Sequence, residues 1–158
     1  MILHAGLVAL RLDGLWTGAL IQGPSGAGKS DLALRALETG FRLVADDRTE
    51  LWTSGGDLYG RAPDTISSLI EVRGLDVVRQ TALPLARIAL VIRCVSDPAT
   101  PQRLANGERV GFLGINLPVL ELWPFEPSAP LKLRRSLWQI GQVGQGAYQA
   151  SLAAHTLP

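Results

Sequence analysis

Apolar and polar positions along this chain first follow strand periods and settle into a helical period at two places. Leu7 to Leu12 alternates as a half-buried strand does, and Asp13-Gly14 is a strong tight-hairpin signal. Leu15 to Gln22 then returns as a second strand, its centre Gly18-Ala19-Leu20-Ile21 apolar enough to be buried. From Lys29 onward Leu32, Ala33, Ala36 and Leu37 recur at helical spacing until Gly40 stops them, which predicts a helix from about Ser30 to Thr39. Phe41 to Ala45 is a short apolar strand ending in Asp46-Asp47. Glu50 to Thr53 and Asp57 to Gly60 flank Ser54-Gly55-Gly56 as a second hairpin. Leu69 to Gly74 is a short strand closed by glycine, and Ile88 to Val95, the longest β-branched run, is expected at the centre of the sheet. Between Ser96 and Asn116 the composition is that of a loop, with one helical turn near Gln102-Arg103-Leu104 and the properties of a mobile active-site segment. Leu117 to Trp123 reads as a further strand and Ala129 to Gln142 as a C-terminal helix, after which residues 143–158 are expected to fray. The predicted fold is α/β: a mixed sheet with one helix after a glycine loop and a second at the C-terminal end.

That glycine loop carries the first chemistry. Gly23, Pro24, Ser25, Gly26, Ala27, Gly28, Lys29 and Ser30 match the P-loop pattern GxxxxGK[ST] in full, between a predicted strand and a predicted helix. Successive backbone N–H groups of such a loop converge on an anion, and the helix N-terminus adds its partial positive charge. Lys29 then reaches the outer phosphates and the Ser30 hydroxyl can ligate Mg²⁺. Nucleotide phosphate is the ligand this arrangement predicts.

Composition narrows the partners. A chain of 158 residues with 47% hydrophobic content makes one domain, residues 1–158, with a substantial core. A formal charge of +1 provides no global field to recruit nucleic acid or anionic lipid, and Lys132, Arg134 and Arg135 read as a solvated helix face. No apolar run approaches a membrane span, and Met1-Ile2-Leu3-His4 lacks a charged leader, so a cytoplasmic location is expected. The lone Cys94 has no disulfide partner and reads as a buried small hydrophobe.

Phosphoryl transfer also needs metal ligands, a group to orient or deprotonate the attacking oxygen, and a cation for developing charge. Asp46 and Asp47 end the strand after the loop helix and should emerge at the same sheet edge as the phosphates, where the two can divide the work, Asp46 as a metal ligand. In an extended strand only one of the two would point into the site, and Asp47 alone could instead cap a following helix. Glu71 and Arg73, two apart on one strand, would place a metal-binding carboxylate beside a phosphate-binding guanidinium, or form a surface ion pair. An arginine on the segment around Arg103 would supply the remaining cation, whereas His4 ordinarily reads as an exposed terminal histidine.

In several blocks the chain resembles the catalytic domain of HPr kinase/phosphorylase, which phosphorylates a serine of the phosphocarrier HPr. His4-Ala5-Gly6-Leu7-Val8 resembles the family's HG-V segment, GPSGAGKSD its loop, Gly40 to Asp47 its RLVADD block, and Leu69 to Leu75 its LIEIRGL signature. The likeness runs to about Leu104. It implies Asp47 as general base, Lys29 and His4 as its catalytic companions, Ser30 and Glu71 as Mg²⁺ ligands, and Arg103 as the arginine of the family's DRLG segment. It also implies ATP and Mg²⁺ as cofactors, an HPr-like phosphocarrier protein as substrate, and a homo-oligomer, hexameric in the family. The lack of the family's N-terminal domain resembles the truncated α-proteobacterial form linked to a nitrogen-type phosphotransferase system. Leu117 to Trp123 stands where the family has IPVRPGRN and brings neither arginine, which puts the reverse phosphorolysis in question. A small-molecule kinase or plain NTPase, and a nucleotide-bound regulatory module without turnover, are the alternative readings.

Overall fold

The computed structural model describes residues 1–101 and 107–140. Eleven strands are present among them: β1 (Ile2–Leu3), β2 (Gly6–Leu12), β3 (Leu15–Gln22), β4 (Arg42–Ala45), β5 (Thr49–Ser54), β6 (Asp57–Arg61), β7 (Leu69–Val72), β8 (Asp76–Arg79), β9 (Ala86–Cys94), β10 (Arg109–Phe112) and β11 (Ile115–Leu122). Helix α1 spans Lys29–Leu37, and residues 129–140 form a second helix, α2. None of the described helices is long and apolar enough to cross a membrane.

Nine strands make one mixed sheet in the order β1-β5-β6-β9-β3-β2-β4, with β11 joining the second half of β9 and β10 pairing β11. Its path curls back on itself. Residues 2–3 pair with Thr49 and Glu50, while residues 7–9 pair with β4, so one N-terminal stretch runs antiparallel to both β4 and β5. The two ends of the strand order are therefore tied by the chain, β1 running into β2 and β4 into β5, and Asp46, Asp47 and Arg48 form the corner opposite His4 and Ala5. Thr49 fastens that corner, its buried hydroxyl donating to the Ala5 carbonyl at 2.8 Å.

Alternation along the strands divides the core in two. Val8, Leu10, Ile21, Leu90 and Ile92 face α1 and α2, where they meet Leu32, Ala33, Ala36, Leu133 and Leu137. Leu7, Ala9, Leu20, Ile88 and Val91 face the inside of the curl, with Leu51, Leu58, Phe112 and Val119. A register shift between Gly18 and Ala19 lets Ile88 and Leu90, two positions apart on β9, serve opposite cores. Strands β3, β4, β9 and β11 all run the same way, so the segments following Gln22, Ala45, Cys94 and Leu122 leave the sheet at one edge.

The predicted hairpins are present. Asp13 and Gly14 (φ +48° and +80°) and Gly55 and Gly56 (φ +59° and +84°) form two-residue turns of the left-handed kind that matches strand twist. The region expected to be loop from Ser96 to Asn116 is corrected. It contains β10 and the start of β11, joined through Leu113 (φ +51°) and Gly114 (φ +83°). Glycine and charge hide this strand because it pairs on one side only and buries only Phe112. Strand β7 ends at Val72, so Arg73 stands in the turn to β8, and the turn predicted around Gln102 and the tail 143–158 lie outside the described residues.

Where the curl is tightest it leaves no room for side chains. A methyl group on Gly60 would come within 2.7 Å of Leu7 Cδ2 and 2.9 Å of Thr49 Cγ2. Gly60→Ala is expected to destabilise the protein by about 1–3 kcal/mol through overpacking, seen as a lower urea midpoint. An unchanged midpoint would contradict the close packing.

Candidate active site

Glycine conformation builds the loop between β3 and α1. Gly26 and Gly28 have φ of +79° and +98°, values that residues with a Cβ avoid. The Ala27 N–H donates to the Pro24 carbonyl at 3.0 Å, and the first α1 backbone bond runs from the Leu32 N–H to the Gly28 carbonyl at 2.9 Å. No side chain caps α1, so the N–H groups of its first turn face the loop mouth. A Cβ on Gly26 would meet nothing within 4 Å, and its open side is part of a cleft of about 480 Å³. Lys29 is 8% exposed, with Nζ donating to the carbonyls of Gly23 (2.8 Å) and Pro24 (3.0 Å). This holds the ammonium at the floor of the loop, beside the cleft.

The acidic pair divides its contacts. Asp46 is 6% exposed and both its oxygens are engaged: Oδ1 accepts from Ser30 Oγ at 2.7 Å, Oδ2 from the Glu71 N–H at 2.9 Å. Asp47 turns the other way because its backbone is not extended. The Arg48 N–H donates to the Asp46 carbonyl at 2.8 Å across an Asp47 held at φ +68°, a positive-φ γ-turn, the rarer and more strained kind. Asp47 thereby lines the cleft, whereas Asp46, expected as a metal ligand, has both oxygens taken up by Ser30 and the Glu71 amide. The strand β5 follows directly, so Asp47 caps no helix.

His4 meets Asp47 across the corner of the sheet, its Nε2–H donating to Oδ1 at 2.7 Å. A carboxylate only accepts, which assigns the proton of that bond to the histidine. Lys29, Ser30, Asp47, His4, Glu71 and Arg73 all line the cleft, whereas Asp46 stands behind Ser30. Arg103 lies outside the described residues. Among the described residues no group of three or more His, Cys, Asp or Glu side chains is arranged to hold a metal by itself. The donors present, a hydroxyl and carboxylates, suit a hard cation that completes its shell with phosphate oxygens and water, as Mg²⁺ does.

Sequence reasoning missed Phe125 as a cleft residue, yet it lines the cleft at 50% exposure. Its signal was the Trp123-Pro124-Phe125 turn directly after a strand that ends at the same edge as the glycine loop. Arg35 was also missed. Its guanidinium holds Asp31 at 2.9 Å and donates to the carbonyls of Pro124 and Glu126, tying α1 to that turn.

Cys94 supports the loop from beneath. It is buried against Gly23, where a Cβ would stand 3.0 Å from its own. Burial pushes its thiol up to about 11, against the opposing pull of the Lys29 and Arg35 charges. At pH 8 the native protein is expected to resist iodoacetamide and to react once unfolded, because thiolate is the reacting form. Rapid native labelling, read by mass spectrometry, would refute this placement.

A strand–glycine loop–helix unit facing an acidic sheet corner is set in a mixed α/β fold with a curled sheet and two helices. The family described as HPr Serine kinase C-terminal domain matches residues 3–83, and the chain belongs to that family. It is 39% identical over 131 residues to the HPr kinase/phosphorylase of Geobacillus thermodenitrificans, covering 76% of this chain and 42% of that protein. It is 31% identical over 155 residues to the HPr kinase/phosphorylase of Clostridium kluyveri, covering 93% and 49%. The chain thus spans about half the length of the curated relatives it matches. The solved structure of the HPr(Ser) kinase/phosphatase from Coxiella burnetii shares the fold, with a TM-score of 0.67 at 24% identity over 85% of this chain and 92% of that one.

Proposed function

We propose that this protein transfers the γ-phosphoryl group of ATP, with Mg²⁺, to a serine hydroxyl of an HPr-like phosphocarrier protein in the cytoplasm. One observation carries the reading: the Asp47 carboxylate, held by His4 at 2.7 Å, lines the same cleft as the glycine loop and Lys29. The loop amides and the α1 N-terminus bind the phosphates, and Lys29 swings from its carbonyl partners to the outer phosphate oxygens. Asp47 takes the proton of the attacking serine as its oxygen bonds the γ-phosphorus and the bond to the β-phosphate oxygen breaks, releasing ADP, and His4 fixes the orientation of that carboxylate. Ser30 and Glu71 would hold the metal, with Asp46 positioning both, and Mg²⁺ would supply charge neutralisation on the outer phosphates. Arg73 from one side, and Arg103 from the segment after Pro101, steady the transferred group. Family membership supports a homo-oligomer, by resemblance a hexamer. Phosphorolysis is expected to be weak, because the stretch ending at Trp123 has no arginine to bind inorganic phosphate.

The test is incubation with γ-labelled ATP, Mg²⁺ and purified HPr-type carriers, with label expected on a carrier serine. Asp47→Asn keeps a residue that tolerates positive φ, so the corner should persist. Transfer is expected to fall by about 10²–10⁴-fold with nucleotide affinity retained. Release of free phosphate without labelled carrier would replace this reading by that of an NTPase. Unimpaired transfer by Asp47→Asn would remove Asp47 from its role as base.

A further inference from the structure

We propose that Phe125 is the platform on which the nucleotide base stacks, making the turn after β11 the base subsite of the cleft. The inference rests on the nucleotide reading above and extends it to the other end of the ligand. Sheet order separates the two ends. Counting from β3, which feeds the glycine loop, Asp46 and Asp47 follow β4 two strands away on one side. Phe125 follows β11 two strands away on the other, beyond β9. Phosphoryl transfer belongs to the side that carries the carboxylates. A nucleotide whose outer phosphate points there must carry its nucleoside toward Phe125.

The ring is placed for stacking rather than left loose. Its edge lies against Gly28, where an added Cβ would come within 2.8 Å of Cζ and 3.1 Å of Pro124 Cγ. Trp123 braces it in an edge-to-face contact at 6.5 Å and 72°. Arg35 fixes the backbone on both sides through the Pro124 and Glu126 carbonyls. Half of Phe125 nevertheless stays exposed, and it lines the cleft. A phenyl ring so held has no hydrogen-bonding atom to read one base from another. The subsite therefore takes a purine by its face and discriminates little between adenine and guanine.

The test compares binding of ATP, GTP and inorganic tripolyphosphate, each with Mg²⁺, by isothermal titration calorimetry. Phe125→Ala is expected to weaken ATP and GTP by about tenfold each while leaving tripolyphosphate affinity unchanged. Phe125→Trp is expected to restore nucleotide affinity. An equal loss for all three ligands would overturn the proposal by showing that the ring only props the loop. Undiminished ATP binding by Phe125→Ala would overturn it directly. If the unaltered protein bound neither ATP nor tripolyphosphate, the nucleotide reading would fail first and this inference with it.

Discussion

The buried carboxylate of Asp46 is the contact on which the arrangement of the site depends. A charge removed from water at that depth is stable only if its oxygens are satisfied, and Asp46 finds its partners on two separate elements. One is the Ser30 hydroxyl in the first turn of α1, and the other is the Glu71 N–H on β7. Because the carboxylate is short and both bonds are near-ideal in length, the three segments cannot slide independently. Glycine loop, acidic corner and the strand bearing Glu71 are held in one register by these two bonds, which is what a preorganised site requires.

The closure of the sheet supplies the second half of that preorganisation. One N-terminal stretch pairs with β4 and then with β5, and the residues between those strands have nowhere to go but outward. Asp47 takes up the resulting strain in its left-handed backbone, and His4 is brought opposite it by the same pairing. The histidine and the carboxylate lie forty-three residues apart in sequence, yet the ladder places them in hydrogen-bond contact. A strained, acidic, solvent-facing corner beside a phosphate-type loop is where function is expected to concentrate.

Much of this was legible in the chain. The β2–β3 and β5–β6 hairpins announce themselves through Asp13-Gly14 and Gly55-Gly56, since only a few residues accept the left-handed turn that strand twist demands. Helix α1, the central strand β9 and the helix from residue 129 follow from apolar period and length. Strands β1, β8 and β10 were not legible. Each is short or exposed, and each exists because a neighbouring strand offers hydrogen bonds, not because its own residues have an apolar period. The glycine loop was readable because its pattern is local, whereas the partnership of Ser30, Asp46 and the Glu71 amide joins positions whose spacing has no period.

The sequence by itself determined the loop of Gly23 to Ser30, the class of fold and the identity of the acidic pair, because glycine conformation, hydrophobic period and adjacent carboxylates are properties of neighbouring residues. Tertiary structure alone decided that Asp46 turns inward to position Ser30 while Asp47 turns toward His4 and the cleft. An isolated strand would have sent them to opposite faces by simple alternation. Only the curl of the sheet, with its γ-turn at Asp47, sets that second carboxylate on the cleft within reach of His4 while the first stays buried behind Ser30.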